Sequence, residues 1–168
     1  MTVTVRQATH DDAAWMQESF ATIGWGKPDG YFADCCRLQD DGKLVLLVAE
    51  DEGTYVGHCK IVWDPDYPYF KAHGIPETQD LNVIPEYRRQ GVASALMDET
   101  ERRIGERSDV AGIGFGLYRD YGAAQRMYIL RGYVPDGNGI VYEDVYVTPG
   151  ESYRVDDALV LGLIRRLR

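Results

Sequence analysis

The sequence predicts an α/β (α+β) fold: a mixed, mostly antiparallel central sheet of six to seven strands flanked by about four helices. Three observations carry this expectation. Short apolar or alternating runs recur along the whole chain at strand length. Two of them, residues 43–50 and 54–63, are separated by Asp51-Glu52-Gly53, a hairpin-turn sequence. Beyond residue 79, strand-like and helix-like patterns alternate, an order that packs helices on the faces of a sheet.

Residues 2–8 alternate, with Val3 and Val5 on one face, and read as a first strand. Asp11 and Asp12 suit a helix start, and residues 13–22 carry a helical pattern. Gly24, Gly26, Pro28 and Gly30 break it, and a second helix covers residues 31–39. The two strands of the predicted hairpin follow and pair antiparallel. Residues 64–76, with three prolines, two tyrosines and Phe70, read as a loop, the kind of segment that carries binding groups. Residues 79–84 form a strand ended by Pro85. Residues 90–107 give the strongest helix: Val92, Leu96, Thr100 and Ile104 share a side, and Glu99 with Arg103 is an i,i+4 pair in the favourable order. A glycine-containing strand spans 110–117, with the small residues of Gly112-Ile113-Gly114-Phe115-Gly116 letting a neighbour pack closely. A helix over 121–131 closes on Gly132, as a left-handed cap requires. Tyr133 and Val134 begin another strand, 135–139 is a turn-rich interruption, and 140–147 alternates like an extra strand. Residues 158–165 form a last strand or a short helix, which periodicity alone does not decide.

With 168 residues, 45% of them hydrophobic, the chain suffices for one domain with a sizeable core, and 1–168 is expected to be a single domain. A net charge of -9 opposes binding to a phosphate backbone and favours a cationic partner. Nucleic acid is therefore not expected. Three cysteines, two of them adjacent at Cys35 and Cys36, make neither a disulfide framework nor a chelating spacing. The three histidines are dispersed, so no metal is expected. No apolar run reaches membrane-span or signal-peptide length, which points to a cytoplasmic protein without a membrane partner.

The chemistry concentrates in Leu81-Asn82-Val83-Ile84-Pro85-Glu86-Tyr87-Arg88-Arg89-Gln90-Gly91-Val92-Ala93-Ser94. A strand ends, a basic loop follows and a helix begins. The first turn of that helix offers N–H groups without intrahelical partners, and its dipole adds positive character. Gly91 permits close backbone approach, Ala93 and Ser94 are small, and Arg88 and Arg89 carry fixed charge. Together these make an anion site suited to a pyrophosphate. There is no P-loop motif, and the alternating glycines at 112–116 lack the spacing of a dinucleotide fingerprint.

Arg88, Gly91 and Ala93 after a strand resemble the Arg-x-x-Gly-x-Ala pyrophosphate loop of the GNAT superfamily of acyl-CoA-dependent N-acetyltransferases. Leu81-Asn82-Val83 precedes at that family's spacing, where strand backbone pairs with the pantetheine arm. Downstream, Tyr121-Gly122-Ala123-Ala124-Gln125-Arg126-Met127-Tyr128 and Arg131-Gly132-Tyr133 are similar to its second motif, with Tyr121 standing where Asn is usual. The resemblance covers roughly residues 3–134 plus the last strand, and makes 135–157 an insertion. It implies a GNAT-like fold, acetyl-CoA as cosubstrate, and transfer of the acetyl group to a primary amine of a small molecule or peptide by direct attack. The cofactor-binding residues it implies are Leu81, Asn82, Val83, Arg88, Arg89, Gln90, Gly91, Val92, Ala93, Ser94, Tyr121 and Ala124.

Amine attack on a thioester requires a proton acceptor, an oxyanion donor and an acid for the thiolate. The resemblance implies Tyr128 as the acid. It aligns Glu77 with the glutamate base of histone-type members and Asp80 with an acidic position of amino-sugar-type members; the choice between them stays open. His58 and His73 are further candidates, since imidazole titrates near neutrality. A backbone N–H at Asn82 or Val83, on a splayed part of the strand, is expected to meet the oxyanion. Tyr67, Tyr69 and Phe70, with the nearby carboxylates, suit a cationic substrate, and Trp25 and Tyr31 are placed to face the same cleft. Two other readings of the same residues are a non-catalytic acyl-CoA sensor and a module that homodimerises through the edge of 140–147.

Overall fold

A computed structural model describes all of Met1–Arg168. It contains eight strands and five α-helices, one or two more strands and one more helix than the sequence predicts. Every strand pair recorded by register is antiparallel except one. The chain divides into two compact units, residues 1–62 with 79–103, and residues 63–78 with 104–168.

The first unit starts with strand β1 (Val3–Gln7), a 3₁₀ turn (His10–Asp12), and helices α1 (Ala13–Ala21) and α2 (Tyr31–Asp40). Strands β2 (Leu44–Asp51) and β3 (Thr54–Val62) form the expected hairpin. Its tip puts Glu52 at φ 49 and Gly53 at φ 80, the pair of left-handed residues that matches the twist of a two-residue turn. β2 pairs with β1, Val5 facing Ala49. The run LVLLVA is apolar without alternation because both of its faces are covered. Leu46 and Val48 pack with Met16, Phe20, Phe32 and Cys36 of α1 and α2. Leu47 and Ala49 pack with Val56, Cys59, Val92 and Leu96, the last two from helix α4 (Val92–Gly105). Ahead of α4 come strand β4 (Glu77–Val83) and a 3₁₀ turn (Pro85–Tyr87).

In the second unit, residues 64–76 are not wholly a loop: Pro68–His73 forms helix α3. Proline is at home in a first helical turn, and Gly74 ends the helix at φ 61, in the left-handed region. Strand β5 (Val110–Gly116) pairs in parallel with the start of β4, Glu77 facing Gly112. The last strand, β8 (Leu159–Arg166), runs antiparallel to β5 and settles the ambiguity of 158–165 in favour of a strand. The tight packing expected around the 112–116 glycines is present. A Cβ on Gly112 would lie 2.7 Å from the Phe70 ring, and one on Gly116 would overlap the Tyr121 ring. A 3₁₀ turn (Arg119–Tyr121) leads into α5 (Gly122–Leu130).

Strand β6 (Val134–Tyr142) absorbs the predicted interruption as a wide bulge. Its partners on β8 jump from Leu163, opposite Pro135, to Leu161, opposite Ile140. β6 then turns back through Glu143 and Asp144, at φ 49 and 61, into the two-residue strand β7 (Val145–Tyr146).

Candidate active site

The strand–loop–helix segment leaves backbone donors open at the start of α4. The first amide of α4 with a main-chain helical acceptor is Ala95, whose N–H donates to the Gly91 carbonyl at 2.9 Å. The N–H groups of Val92, Ala93 and Ser94 therefore precede the intrahelical ladder. Gly91 sits at φ 91, and nothing lies within 4 Å of where its Cβ would be, so a side chain here is strained and would intrude on open space. Arg89 also takes a left-handed conformation, φ 56, which turns the loop into the helix. Arg88, Arg89 and Gln90 are exposed. Arg88 folds back: its Nε donates to the Val83 carbonyl at 3.3 Å, and its guanidinium lies 4.8 Å from the Trp25 ring centroid. Gln90 Nε2 donates to the Glu86 carbonyl at 2.7 Å. These residues fit a pyrophosphate: N–H donors and a helix dipole stand beside a glycine that leaves room, with the exposed Arg88 and Arg89 adjacent in the chain.

Strand β4 carries Leu81, Asn82 and Val83, all half-buried. Just before them Asp80 stands at φ 56, a conformation an L-residue adopts at a cost of order 1–3 kcal/mol. This kink lies ahead of Asn82 and Val83, where the splay is expected from the sequence. Behind β4, Gly57 of β3 leaves no room: a Cβ there would lie 2.6 Å from the Asn82 carbonyl oxygen and 3.4 Å from Val83 Cα.

Asp80 is the hub of a polar network that sequence reasoning did not assemble. The Lys27 ammonium lies 2.5 Å from its Oδ1, the Tyr31 hydroxyl donates to Oδ2 at 2.6 Å, and Asn82 Nδ2 donates to Oδ1 at 2.7 Å. His58 Nε2 lies 3.0 Å from Oδ2, while the Tyr55 hydroxyl lies 2.5 Å from His58 Nδ1. One tautomer satisfies every group: Tyr55 donates to Nδ1, and Nε2–H donates to Asp80. His58 has no exposed surface. Burial is the largest influence on it and drives its pKa down, so the ring is neutral. Burial works the other way on Asp80, yet donation from His58, Lys27 and Tyr31 outweighs it and holds the carboxyl well below the usual carboxylate range. A carboxylate with this many donors is a weak proton acceptor and a strong anchor for a cation. Tyr31 and Tyr55 are pushed the other way, chiefly by burial and then by the Asp80 charge, and keep their protons.

The other predicted residues lie in the second unit. Glu77 is half-buried at the start of β4, its Oε1 reaching 3.7 Å from the Cβ position of Gly114. Tyr128 is buried in α5, its ring 6.5 Å from Phe115 and 6.1 Å from Tyr133. Tyr121, half-buried, donates its hydroxyl to Asp157 Oδ1 at 2.8 Å, and Ala124 lies one turn along, half-buried. Phe70 has no exposed surface and Tyr67 is 4% exposed. With Ile75 and Val141 they form a core cluster, against which Tyr69 packs. The expected cation-facing role is thus not met by Phe70: its ring fills the space above Gly112. The Tyr67 hydroxyl donates to Asp136 at 2.6 Å. His73 caps α3 at the surface, 2.8 Å from the Tyr69 carbonyl. No cluster of three metal-ligating side chains occurs, and no helix is long and apolar enough to cross a membrane.

A mixed, mostly antiparallel sheet with flanking helices, and a strand that leads through a glycine turn into a helix N-terminus, define a fold of the mixed α/β class with a candidate anion site. Residues 10–133 match the Acetyltransferase (GNAT) family, and the chain belongs to that family. Its fold is shared with an N-acetyltransferase from Staphylococcus aureus Mu50 at a TM-score of 0.72 and 14% identity, over 100% of both chains. The yncA protein of Salmonella typhimurium, solved with its cofactor acetyl-CoA, aligns at 0.66 and 19% identity, over 100% of this chain and 95% of that one. A spermidine N-acetyltransferase SpeG chimera from Vibrio cholerae and hSSAT aligns at 0.68 and 15%, over 99% and 96%. No curated protein sequence matches the chain.

Proposed function

We propose that this protein transfers the acetyl group of acetyl-CoA to a primary amine by direct attack. The observation that carries the reading is the start of α4. Three N–H groups precede the helical ladder beside Gly91 at φ 91, with Arg88 and Arg89 exposed next to it. These groups hold the pyrophosphate, and Leu81, Asn82 and Val83 offer main-chain groups to the pantetheine arm. Family membership supports the same assignment, as does the acetyl-CoA in the Salmonella relative. The cosubstrate supplies an activated acyl thioester.

The protein's own residues do the rest. A β4 N–H at Asn82 or Val83 donates to the developing oxyanion. Tyr128 holds a proton for the departing thiolate. Asp80, saturated with donors, positions the amine as a cation rather than deprotonating it, which leaves Glu77 as the acceptor of the amine's proton. The amine is that of a small molecule or a peptide, consistent with relatives named for spermidine and for a ribosomal-protein alanine.

Calorimetry with acetyl-CoA and CoA on the wild type and on Gly91→Asp tests the reading, followed by mass spectrometry of an amine panel. Binding by the wild type that is lost in the variant, with acetylated product from at least one amine, is the expected result. A folded wild type that binds neither cosubstrate overturns it.

A further inference from the structure

Lys27 sits where a free ammonium ion would. Its Nζ is 2.5 Å from Asp80 Oδ1, 4.9 Å from the centroid of Tyr31 and 5.5 Å from that of Phe20. One carboxylate and two ring faces around an ammonium group have the composition of a cation receptor.

Three features separate this arrangement from an ordinary structural ion pair. Asp80 is organised without Lys27: Tyr31, His58 and Asn82 all donate to it, and Tyr55 fixes the histidine behind it. The carboxylate therefore stays charged and aimed whether or not the lysine is present. The lysine also comes from a segment, residues 22–30, that is neither helix nor strand, with Gly24 and Gly30 at φ 74 and 76. Gln17 Nε2 holds that segment by the carbonyls of Lys27 and Pro28, each at 3.2 Å. Finally, the Lys27 side chain keeps 22% of its surface exposed, against 12% for Asp80 and none for His58. The receptor opens to solvent on the lysine's side.

We propose that Asp80, Tyr31 and Phe20 form the receptor for the ammonium group of an alkylamine substrate, and that Lys27 is its resident occupant in the free protein. The proposal rests on the amine-acetyltransferase reading and names its substrate class. Charge makes binding an exchange rather than an addition. The groups facing the box are Asp80, neutral His58, Lys27 and Lys60, whose Nζ lies 5.5 Å from the Tyr31 centroid. Asp80 already pairs with Lys27, and Lys60 stands against the same Tyr31 ring, so a further cation within contact distance meets uncompensated repulsion. The incoming ammonium displaces Lys27, and its methylene groups take the place of the lysine stem on the Phe20 and Tyr31 rings.

The test reads binding without acetyl-CoA, so it stands or falls apart from acetyl transfer. Lys27→Ala and Lys27→Met are titrated with n-butylammonium chloride at constant ionic strength, with 1-butanol as the neutral isostere, by calorimetry and thermal shift. Both variants are expected to bind the ammonium saturably and to ignore the alcohol. The wild type and Lys27→Arg, with the box occupied, bind it about tenfold or more weakly. Folded variants that show no saturable binding, or that bind the alcohol equally, overturn the proposal. So does loss of the fold in both, which makes Lys27 a structural strap. If the receptor passes while no amine is acetylated, the enzymatic reading falls and the receptor remains.

Discussion

Adding one methyl group at Gly57 should damage the cosubstrate strand from behind. Gly57 is not at a positive φ, so alanine fits its backbone, and lower chain entropy in the unfolded state would by itself stabilise the variant by about 0.4–1 kcal/mol. Sterics oppose this. The new Cβ falls 2.6 Å from the Asn82 carbonyl oxygen, 3.3 Å from Val92 Cγ1 and 3.4 Å from Val83 Cα. Ordinary contact begins near 3.4 Å, so the Asn82 carbonyl must retreat by about 0.8 Å. It is main chain on a strand kinked at Asp80, with Ile84 N–H bonded to the Val56 carbonyl at 3.0 Å, so it has little freedom to move. Overpacking of this kind costs about 1–3 kcal/mol, which exceeds the entropic gain. A displacement approaching 1 Å in a positioning strand lowers turnover by up to about a hundredfold. Urea denaturation, acetyl-CoA calorimetry and steady-state kinetics on Gly57→Ala measure all three quantities. Gly122→Ala, where nothing lies within 4 Å and the glycine opens α5, is the control and should be neutral or stabilising. A Gly57→Ala protein with wild-type stability and wild-type acetyl-CoA affinity would refute the reasoning.

Three further outcomes follow from the structure. Tyr128→Phe should lower kcat by about a hundredfold while leaving acetyl-CoA affinity unchanged; equal turnover removes the phenol from the chemistry. Glu99 bonds Arg102 and Arg103, which lowers its pKa from 4.5 to about 2. A lowered folded pKa stabilises above the unfolded value and is lost as pH falls through the folded one. The stability gap between wild type and Glu99→Gln, about 0.5 kcal/mol for this partly exposed cluster, should therefore be full above about pH 5 and close toward about pH 2. A gap that persists at the acid end contradicts this. All three cysteines are buried, and burial pushes Cys59 up to about 12. Native protein at about pH 8 should leave Ellman's reagent uncoloured until denaturant is added, and rapid native reaction of Cys59 would mean the Cys59–Thr100 region opens.

Local chemistry was legible in the sequence. The hairpin tip at residues 52–53 and the amphipathic α4 depend on residues close together in the chain, and the structure shows both. The glycines of β5 also announced close packing, though not by what. Helix α3 was hidden because its six residues are too few for a periodicity to emerge, and its proline and aromatics imitate a loop. The bulge in β6 was hidden because turn residues can interrupt a strand or swell it, and only the partner strand decides.

The polar network lay further out of reach. Lys27 and Asp80 are 53 residues apart, and His58 and Asp80 are 22 apart. They meet because the order of strands brings β3 beside β4, and because the kink at Asp80 redirects its carboxylate. The same long-range packing turned Phe70 from an expected ligand-facing ring into core. The sequence by itself determined most of the elements and the fold family, since those are written in spacing and local conformation. Only the tertiary structure decided that Asp80 is surrounded by donors that keep it ionised, because a group's protonation is set by neighbours the chain order does not name.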